Sequence, residues 1–150
     1  MNSVTVSIAR IAGAEDLPLP SYQTEHSAGM DLHAAVTADV VVPAGQIAVI
    51  PLGFRLAVPD GYAAELRPRS GLAAREGISI PNSPATIDSD YRGEVRVPLI
   101  NHGHQDFTVR RGMRIAQMLV MPVPRVTWQE RSALPETARG AGGFGHTGTD

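Results

Sequence analysis

Proline and glycine divide this sequence into short apolar runs, and their spacing restricts the folds available to it. The chain has 150 residues, of which 15 are glycine and 12 are proline. The runs between them are rich in β-branched residues, and several alternate apolar and polar side chains, as in Val95-Arg96-Val97. Regularly spaced short strands separated by turn residues are typical of β-sandwiches and barrels. We therefore predict a single all-β domain.

Eight runs are predicted to form strands, at residues 4–11, 40–42, 46–50, 53–58, 61–66, 94–101, 105–109 and 114–123. Residues 71–76 are predicted to form one short helix, for which Ser70 is a candidate N-cap. The turn-rich segment 82–93 is predicted to form a β-hairpin.

The charged residues and the missing residue types exclude several classes of function. The formal net charge is −2, which argues against a general nucleic-acid or membrane-surface binder. All 13 basic residues are arginine, so the lysine of a Walker-type phosphate loop is missing. There is no cysteine for disulfides, thiolate metal sites or a thiol nucleophile. No signal peptide or membrane span is recognisable, so a cytoplasmic location is expected.

The last twenty residues differ in kind from the rest of the chain. Residues 139–148 contain five glycines and a single large apolar residue, Phe144. Such a segment cannot bury enough surface to order itself. We expect residues 1–130 to form the β-barrel domain and residues 131–150 to form a flexible arm. Residues 140–145 match G-x-G-x-x-G, but too few residues follow for the helix of a dinucleotide site.

Four internal segments combine functional side chains with turn residues. They are AGMDL at 28–32, PRSGLA at 68–73, ATIDSDYRGEV at 85–95 and RGMRIAQMLV at 111–120. Taken singly, Asp31 is best interpreted as an aspartate in a turn. Ser70 fits equally well as an N-cap or as part of an anion site. His102 and His104 have no third ligand nearby in the sequence, and a solvated turn is the favoured interpretation there.

The four segments in this order, followed by RGAGGFGHTG at 139–148, resemble the trimeric dUTP nucleotidohydrolase family across essentially the whole chain. The resemblance implies a distorted jelly-roll β-barrel that forms a homotrimer with active sites shared between subunits. It also implies the hydrolysis of dUTP to dUMP and pyrophosphate, which lowers dUTP and supplies dUMP in pyrimidine deoxynucleotide metabolism.

The resemblance assigns the uracil and deoxyribose pocket to segment 82–91, and further substrate-binding residues are expected within and beside it. Asn82 would bind the uracil edge and Tyr91 would pack beneath the deoxyribose. Asp88 would be the general base that orients a water for in-line attack on the α-phosphorus. The remaining substrate-binding residues expected there are Thr86, Ile87 and Arg96.

The phosphates are assigned to the other segments. Arg69, Ser70 and Gly71 would hold the phosphates at the helix start, and Gln117 would contact a phosphate oxygen. Asp31 would act through water on a Mg²⁺ ion chelated mainly by the phosphates.

The fifth motif would close over the substrate. Phe144 would stack on uracil and Arg139 would pair with phosphate. The other arm residues expected to bind substrate are Gly145, His146 and Thr147. The chain departs from the family's usual residues at Ala85, where glycine is common, and at His146, where serine is common.

Two alternatives remain open at this point. A dCTP deaminase shares the trimeric fold but would use a pocket glutamate for chemistry on the base. A non-catalytic trimeric β-module would bind nucleotides or a protein partner without turnover. The expected partners of the enzyme are dUTP and two further copies of the chain, with no nucleic acid and no membrane.

Overall fold

The computed structural model describes residues 3–143, which form an almost entirely β structure with one short helix. The elements of the first half are β1 (Ser7–Arg10), β2 (Met30–His33), β3 (Val40–Val42), β4 (Ile47–Ala57), β5 (Tyr62–Pro68) and α1 (Ser70–Glu76). Those of the second half are β6 (Ile78–Ser79), β7 (Ala85–Ile87), β8 (Glu94–Asn101), β9 (Phe107–Val109) and β10 (Arg114–Pro122). The predicted all-β class is confirmed.

The strands form three antiparallel sheets that do not close on themselves. One four-stranded sheet has the order β1-β4-β8-β6, another has the order β2-β10-β5-β7, and β3 pairs with β9. Alternate residues of β8 are buried, so its inward positions Val95, Val97 and Leu99 pack in the core while Arg96 points outward. The core lies between the sheets because each sheet has one apolar face to bury.

One polar residue, Asn101, is fully buried in this core. Its amide donates to the carbonyl oxygens of Val42 at 2.9 Å and Gln105 at 2.8 Å, and its Oδ1 accepts from the Gly103 N–H at 2.8 Å. The side chain therefore satisfies backbone groups where β8 turns towards β9.

The predicted break between residues 50 and 53 is wrong, because β4 runs continuously through it. Its pairing with β8 shifts register between Pro51 and Arg55. Gly53 has a φ of 74°, which bends the strand, and a Cβ there would collide with Ala14 and Ala35. Turn residues thus mark a kink inside one long strand.

The predicted hairpin over residues 82–93 is also wrong. β7 pairs with β5 in one sheet, whereas β8, which follows it in sequence, pairs with β4 in the other. The turn after β7 therefore carries the chain between sheets. It leaves Asp88, Tyr91 and Arg92 exposed.

Ser70 is not the N-cap of α1. Arg69 holds that position in an extended conformation, Ser70 is the first helical residue, and no side chain caps the helix. β5 ends at Pro68, so the chain is still extended at Arg69 before it turns into the helix. Gly77, with a φ of 70°, ends α1 in the left-handed conformation.

The chain after β10 makes little further regular structure. Residues 123–143 contain no strand or helix, and almost all of them are exposed. In the described part of the chain, no helix has the length and apolar character to cross a membrane. The division of the chain at residue 130 stays a prediction.

Candidate active site

The sheet β2-β10-β5 brings three of the sequence motifs side by side. Asp31 of β2 lies opposite Gln117 of β10, and Ala116 of β10 lies opposite Pro68 at the end of β5. Arg69 and Ser70 follow Pro68 directly. Because side chains on adjacent strands stand beside one another, segments far apart in sequence meet at one edge of this sheet.

These residues line a pocket of about 520 Å³, here called the arginine pocket. Five residues expected to act on phosphate or metal border it, namely Asp31, Arg69, Ser70, Gly71 and Gln117. Arg75 and Arg114 border it as well. The structure thus brings together the first, second and fourth motifs.

Asp31 is nearly buried and holds two guanidinium groups of this pocket. Its Oδ1 accepts from Arg69 Nε at 3.1 Å, and its Oδ2 accepts from Arg114 Nη1 at 3.0 Å. A buried carboxylate requires hydrogen-bond partners such as these to offset the loss of its hydration. Asp31 lies in a strand, so the turn interpretation of this residue is wrong.

His33 lies two residues after Asp31 on the same face of β2. Burial lowers its pKa below the ordinary value of 6.5, Asp31 opposes this effect, and Arg114 and Arg69 reinforce it. At neutral pH the imidazole is therefore uncharged. The positively charged neighbours of Asp31 are therefore the two arginines, and His33 is a neutral neighbour.

Gln117 is held in place from both sides. Its amide nitrogen donates to the Pro68 carbonyl at 2.9 Å, and its Oε1 lies so close to Gly29 that a Cβ at that glycine would collide with it. The glycine of the first motif is needed because the Gln117 amide occupies the space of a side chain. The polar group that interrupts an apolar run in β10 thus has a structural partner and also faces the pocket.

Arg111 anchors the turn that leads into β10. It pairs with Asp16, donating from Nε at 3.0 Å, and it also donates to the carbonyl oxygens of Val36 at 3.1 Å and Gly13 at 2.6 Å. The Arg111 hydrogen bond lowers the pKa of Asp16, and Asp16 raises the pKa of Arg111. This arginine links the fourth motif to the N-terminal loop and does not border the arginine pocket.

A second pocket, of about 240 Å³, lies beside β7 and is here called the tyrosine pocket. It is lined by Thr86, Ile87, Asp88, Tyr91, Glu94, Val95 and Arg96. It therefore collects all but one of the residues expected on the pyrimidine side.

Backbone contacts fix the Tyr91 ring in this pocket. The phenol donates to the Glu94 carbonyl at 3.0 Å, and a Cβ on Gly93 would collide with the phenol end of the ring. The Arg96 guanidinium pairs with the Glu94 carboxylate, with Nη2 at 2.9 Å from Oε2. Glu94 thus orients Tyr91 through its backbone carbonyl and Arg96 through its carboxylate.

Asp88 is exposed at the end of β7, and its carboxylate has no hydrogen bond or ion pair to any residue in 3–143. Its backbone carbonyl accepts from the Tyr91 N–H at 3.2 Å, which closes the turn between them. The carboxylate is therefore free to act on a ligand or a water.

The two pockets lie at opposite ends of β5. Ile87, just before Asp88, pairs with Ala64, whereas Arg69 follows the other end of the strand at Pro68. Ala64 and Arg69 are five positions apart, about 17 Å along an extended chain. One copy of the chain therefore holds the two halves of the expected site far apart.

Several expected site residues lie outside both pockets. Asn82 is exposed in the turn before β7. Arg139 donates from Nε to the Gly142 carbonyl at 2.8 Å, within a turn of the C-terminal segment. Phe144, Gly145, His146 and Thr147 fall outside the described residues.

Sequence reasoning missed Arg75, Arg114 and Glu94. Arg75 follows the second motif and Arg114 lies inside the fourth, so nearness to a motif was the available signal. Glu94 lies near the end of the third motif, where an acidic residue two positions before Arg96 suggests a same-face pair on a strand.

Known proteins resemble this chain in sequence. Residues 15–148 match the dUTPase family. The chain is 54% identical over 151 residues to the deoxyuridine 5'-triphosphate nucleotidohydrolase of Maricaulis maris, covering 99% of both chains. It is 52% identical over 147 residues to the enzyme of that name from Rickettsia felis, covering 97% of this chain and 99% of the relative.

Solved structures agree in fold. A mutant of the Staphylococcus bacteriophage 80alpha dUTPase with dUpNHpp superposes with a TM-score of 0.85 at 20% identity, covering 97% of this chain and 99% of that one. A mutant dUTPase from phage phi11 of S. aureus, described as coordinating a structural Mg(II) ion, gives a TM-score of 0.75 at 19% identity, with coverage of 86% and 97%.

Proposed function

The chain belongs to the dUTPase family, whose reaction is the hydrolysis of dUTP to dUMP and pyrophosphate, and we propose that its active site is completed by a second copy of the chain. The observation that carries this proposal is the separation of the two pockets along β5. A general base acts on a water within hydrogen-bond reach of the reacting atom. The strand length between the two pockets, about 17 Å from Ala64 to Arg69, exceeds the length of a three-phosphate chain.

Exposed apolar side chains support association between copies. Trp128 is 90% exposed and Leu134 is 82% exposed, both in the segment that leaves the sheet after β10. Ile47 and Val49 are exposed on β4. Such surface favours burial against another chain. We propose the homotrimer that the family resemblance implies, with each site formed between neighbours.

In this arrangement the tyrosine pocket receives the nucleoside. Tyr91 lies beneath the sugar, and Thr86, Ile87 and Arg96 border the nucleotide. Asn82 binds the uracil edge from the turn before β7. Asp88 accepts a proton from the water that attacks the α-phosphorus, and the leaving group is pyrophosphate.

The arginine pocket of the neighbouring copy receives the phosphates. Arg69 contributes a guanidinium that suits phosphate oxygens, Ser70 a free hydroxyl and Gly71 an uncovered backbone. Gln117 contributes its amide from β10. Ser70 is available for this role because its hydroxyl does not cap α1.

We propose Mg²⁺ as the cofactor. Within residues 3–143 no three metal-binding side chains lie together, so the side chains fit an ion held by the phosphates and not a protein cage. Asp31 fits such an ion, because its carboxylate has acceptor positions beyond those used by Arg69 and Arg114 and can accept a metal-bound water. When bound, the ion neutralises phosphate charge.

The segment from residue 131 to 150 is proposed to close over the bound nucleotide. Arg139 pairs with phosphate and Phe144 stacks on uracil in this proposal. Gly145, His146 and Thr147 contact the substrate beside them. The cytoplasmic location also stays a prediction.

Incubation with Mg²⁺ and single nucleotides tests the reaction. We expect pyrophosphate and dUMP from dUTP. Ammonia from dCTP would identify a deaminase instead, and binding of dUTP without turnover would identify a non-catalytic module. The full set of deoxynucleoside triphosphates serves as the specificity control.

Mixed oligomers test whether the site is shared. Chains carrying Asp88→Asn are co-expressed with chains carrying Arg69→Gln, each inactive alone. If neighbouring copies supply the two residues, random assembly leaves about a quarter of the sites intact, so about a quarter of the wild-type rate of dUTP hydrolysis is expected. Asp88→Asn mixed with Asp88→Ala is the matched control and recovers nothing. No recovery in the first mixture would place the whole site within one chain.

A further inference from the structure

The arginine pocket carries more positive charge than its ion pairs use. It is lined by the guanidinium groups of Arg69, Arg75 and Arg114 and by one carboxylate, that of Asp31. Formally this leaves an excess of two positive charges. A pocket with this excess positive charge suits a polyanion. A cation that is not already engaged in an ion pair is the best placed to bind it.

The three arginines are not equivalent. Arg69 and Arg114 both donate to the carboxylate of Asp31, at 3.1 and 3.0 Å. Arg75 has neither an ion pair nor a side-chain hydrogen bond to any of residues 3–143. It is therefore the cation of the pocket whose donors are all available to a ligand.

Gly71 allows Arg75 to reach the pocket. The two residues are one helical turn apart, and helical side chains lean towards the N-terminal end of their helix. A Cβ on Gly71 would stand 3.2 Å from Nη2 and 3.3 Å from Nη1 of Arg75, tighter than ordinary contact. Because the glycine has no side chain, the guanidinium can lie across the first turn of α1, beside Ser70.

We propose that Arg75 is a further substrate-binding residue, which contacts the pyrophosphate part of dUTP. The inference rests on the proposed function. The α-phosphate must stay near Asp88, which belongs to the tyrosine pocket, so the two outer phosphates extend into the arginine pocket. There Arg75 supplies donors that no acidic residue of the described chain competes for.

The test compares Arg75→Gln with the wild-type trimer. We expect KM for dUTP to rise about fivefold and kcat to change little, because a charge-assisted hydrogen bond at an exposed site contributes modestly to binding. The affinity for pyrophosphate as a competitive inhibitor falls by a similar factor, and the affinity for dUMP does not change. Arg75→Lys restores part of the loss. Arg110→Gln removes the same charge from an exposed residue outside both pockets and is the matched control.

The outcomes separate this inference from the proposed function. Unchanged KM and unchanged pyrophosphate affinity in Arg75→Gln, with normal dUTP hydrolysis by the wild type, would overturn the role of Arg75 and leave the function intact. Equal losses of affinity for dUMP and pyrophosphate would also overturn it, because contact would then not be specific to the outer phosphates. Thermal unfolding of the variant at the wild-type temperature excludes a general loss of structure.

Discussion

Asp88→Asn is expected to lower the turnover of dUTP by at least about a hundredfold while nucleotide affinity stays close to that of the wild type. The amide keeps the shape of the side chain but cannot accept the proton of the attacking water. Asp88 has no side-chain ion pair or hydrogen bond within residues 3–143, so the change removes no contact that supports the fold. Steady-state hydrolysis and binding of the non-hydrolysable analogue dUpNHpp measure the two quantities separately.

Asp90→Asn is the control for this variant. Asp90 is two residues away and exposed like Asp88, yet it borders the surface beside Asp60 and Tyr62 and not the tyrosine pocket. It should keep nearly full turnover. If Asp88→Asn retained the wild-type turnover, Asp88 would not be the general base.

Deleting residues 139–150 is expected to preserve the proposed trimer and to reduce dUTP hydrolysis on the order of a hundredfold, a loss typical of misplaced substrate. The described sheets end at Pro122, so among residues 139–143, the described part of the deleted stretch, the deletion removes no strand and no core residue. The deleted segment includes Arg139 and Phe144, which are proposed to contact phosphate and uracil. Turnover and the sedimentation of the truncated chain measure the two expectations.

Removing only Thr149 and Asp150 provides the matched control, because these residues lie beyond the fifth motif. That shorter truncation should hydrolyse dUTP at close to the wild-type rate. Full activity of the longer truncation would show that the fifth motif has no part in the reaction. Dissociation of the trimer would show that the segment acts through assembly.

Local pattern predicted the strands well where side chains alternate without interruption. Residues 94–101 are predicted as a strand and form β8 with the same bounds. The prediction failed at Gly53, where a glycine marks a bend inside β4 and not its end. A turn residue reports local backbone conformation, and only the neighbouring strand shows whether pairing continues through it.

The sequence predicts which residue types the site uses but not how they are arranged, and the residue roles stay predictions. Asp31 and Gln117 were singled out separately, but their position opposite one another depends on the register of β2 and β10. The sequence makes Ser70 a candidate N-cap of α1, but Arg69 takes that position because the chain is still extended there after β5 ends at Pro68. These features rest on contacts between distant segments, which no local pattern records.

The sequence by itself determined that the chain is all-β, that neither lysine nor cysteine is available to its active site, and which family it belongs to. The tertiary structure alone decided that β7 and β8 enter different sheets and that Asp88 and Arg69 lie at opposite ends of β5. The physical reason is that strand formation follows from the local alternation of side chains, whereas strand pairing follows from burying those faces against distant parts of the chain.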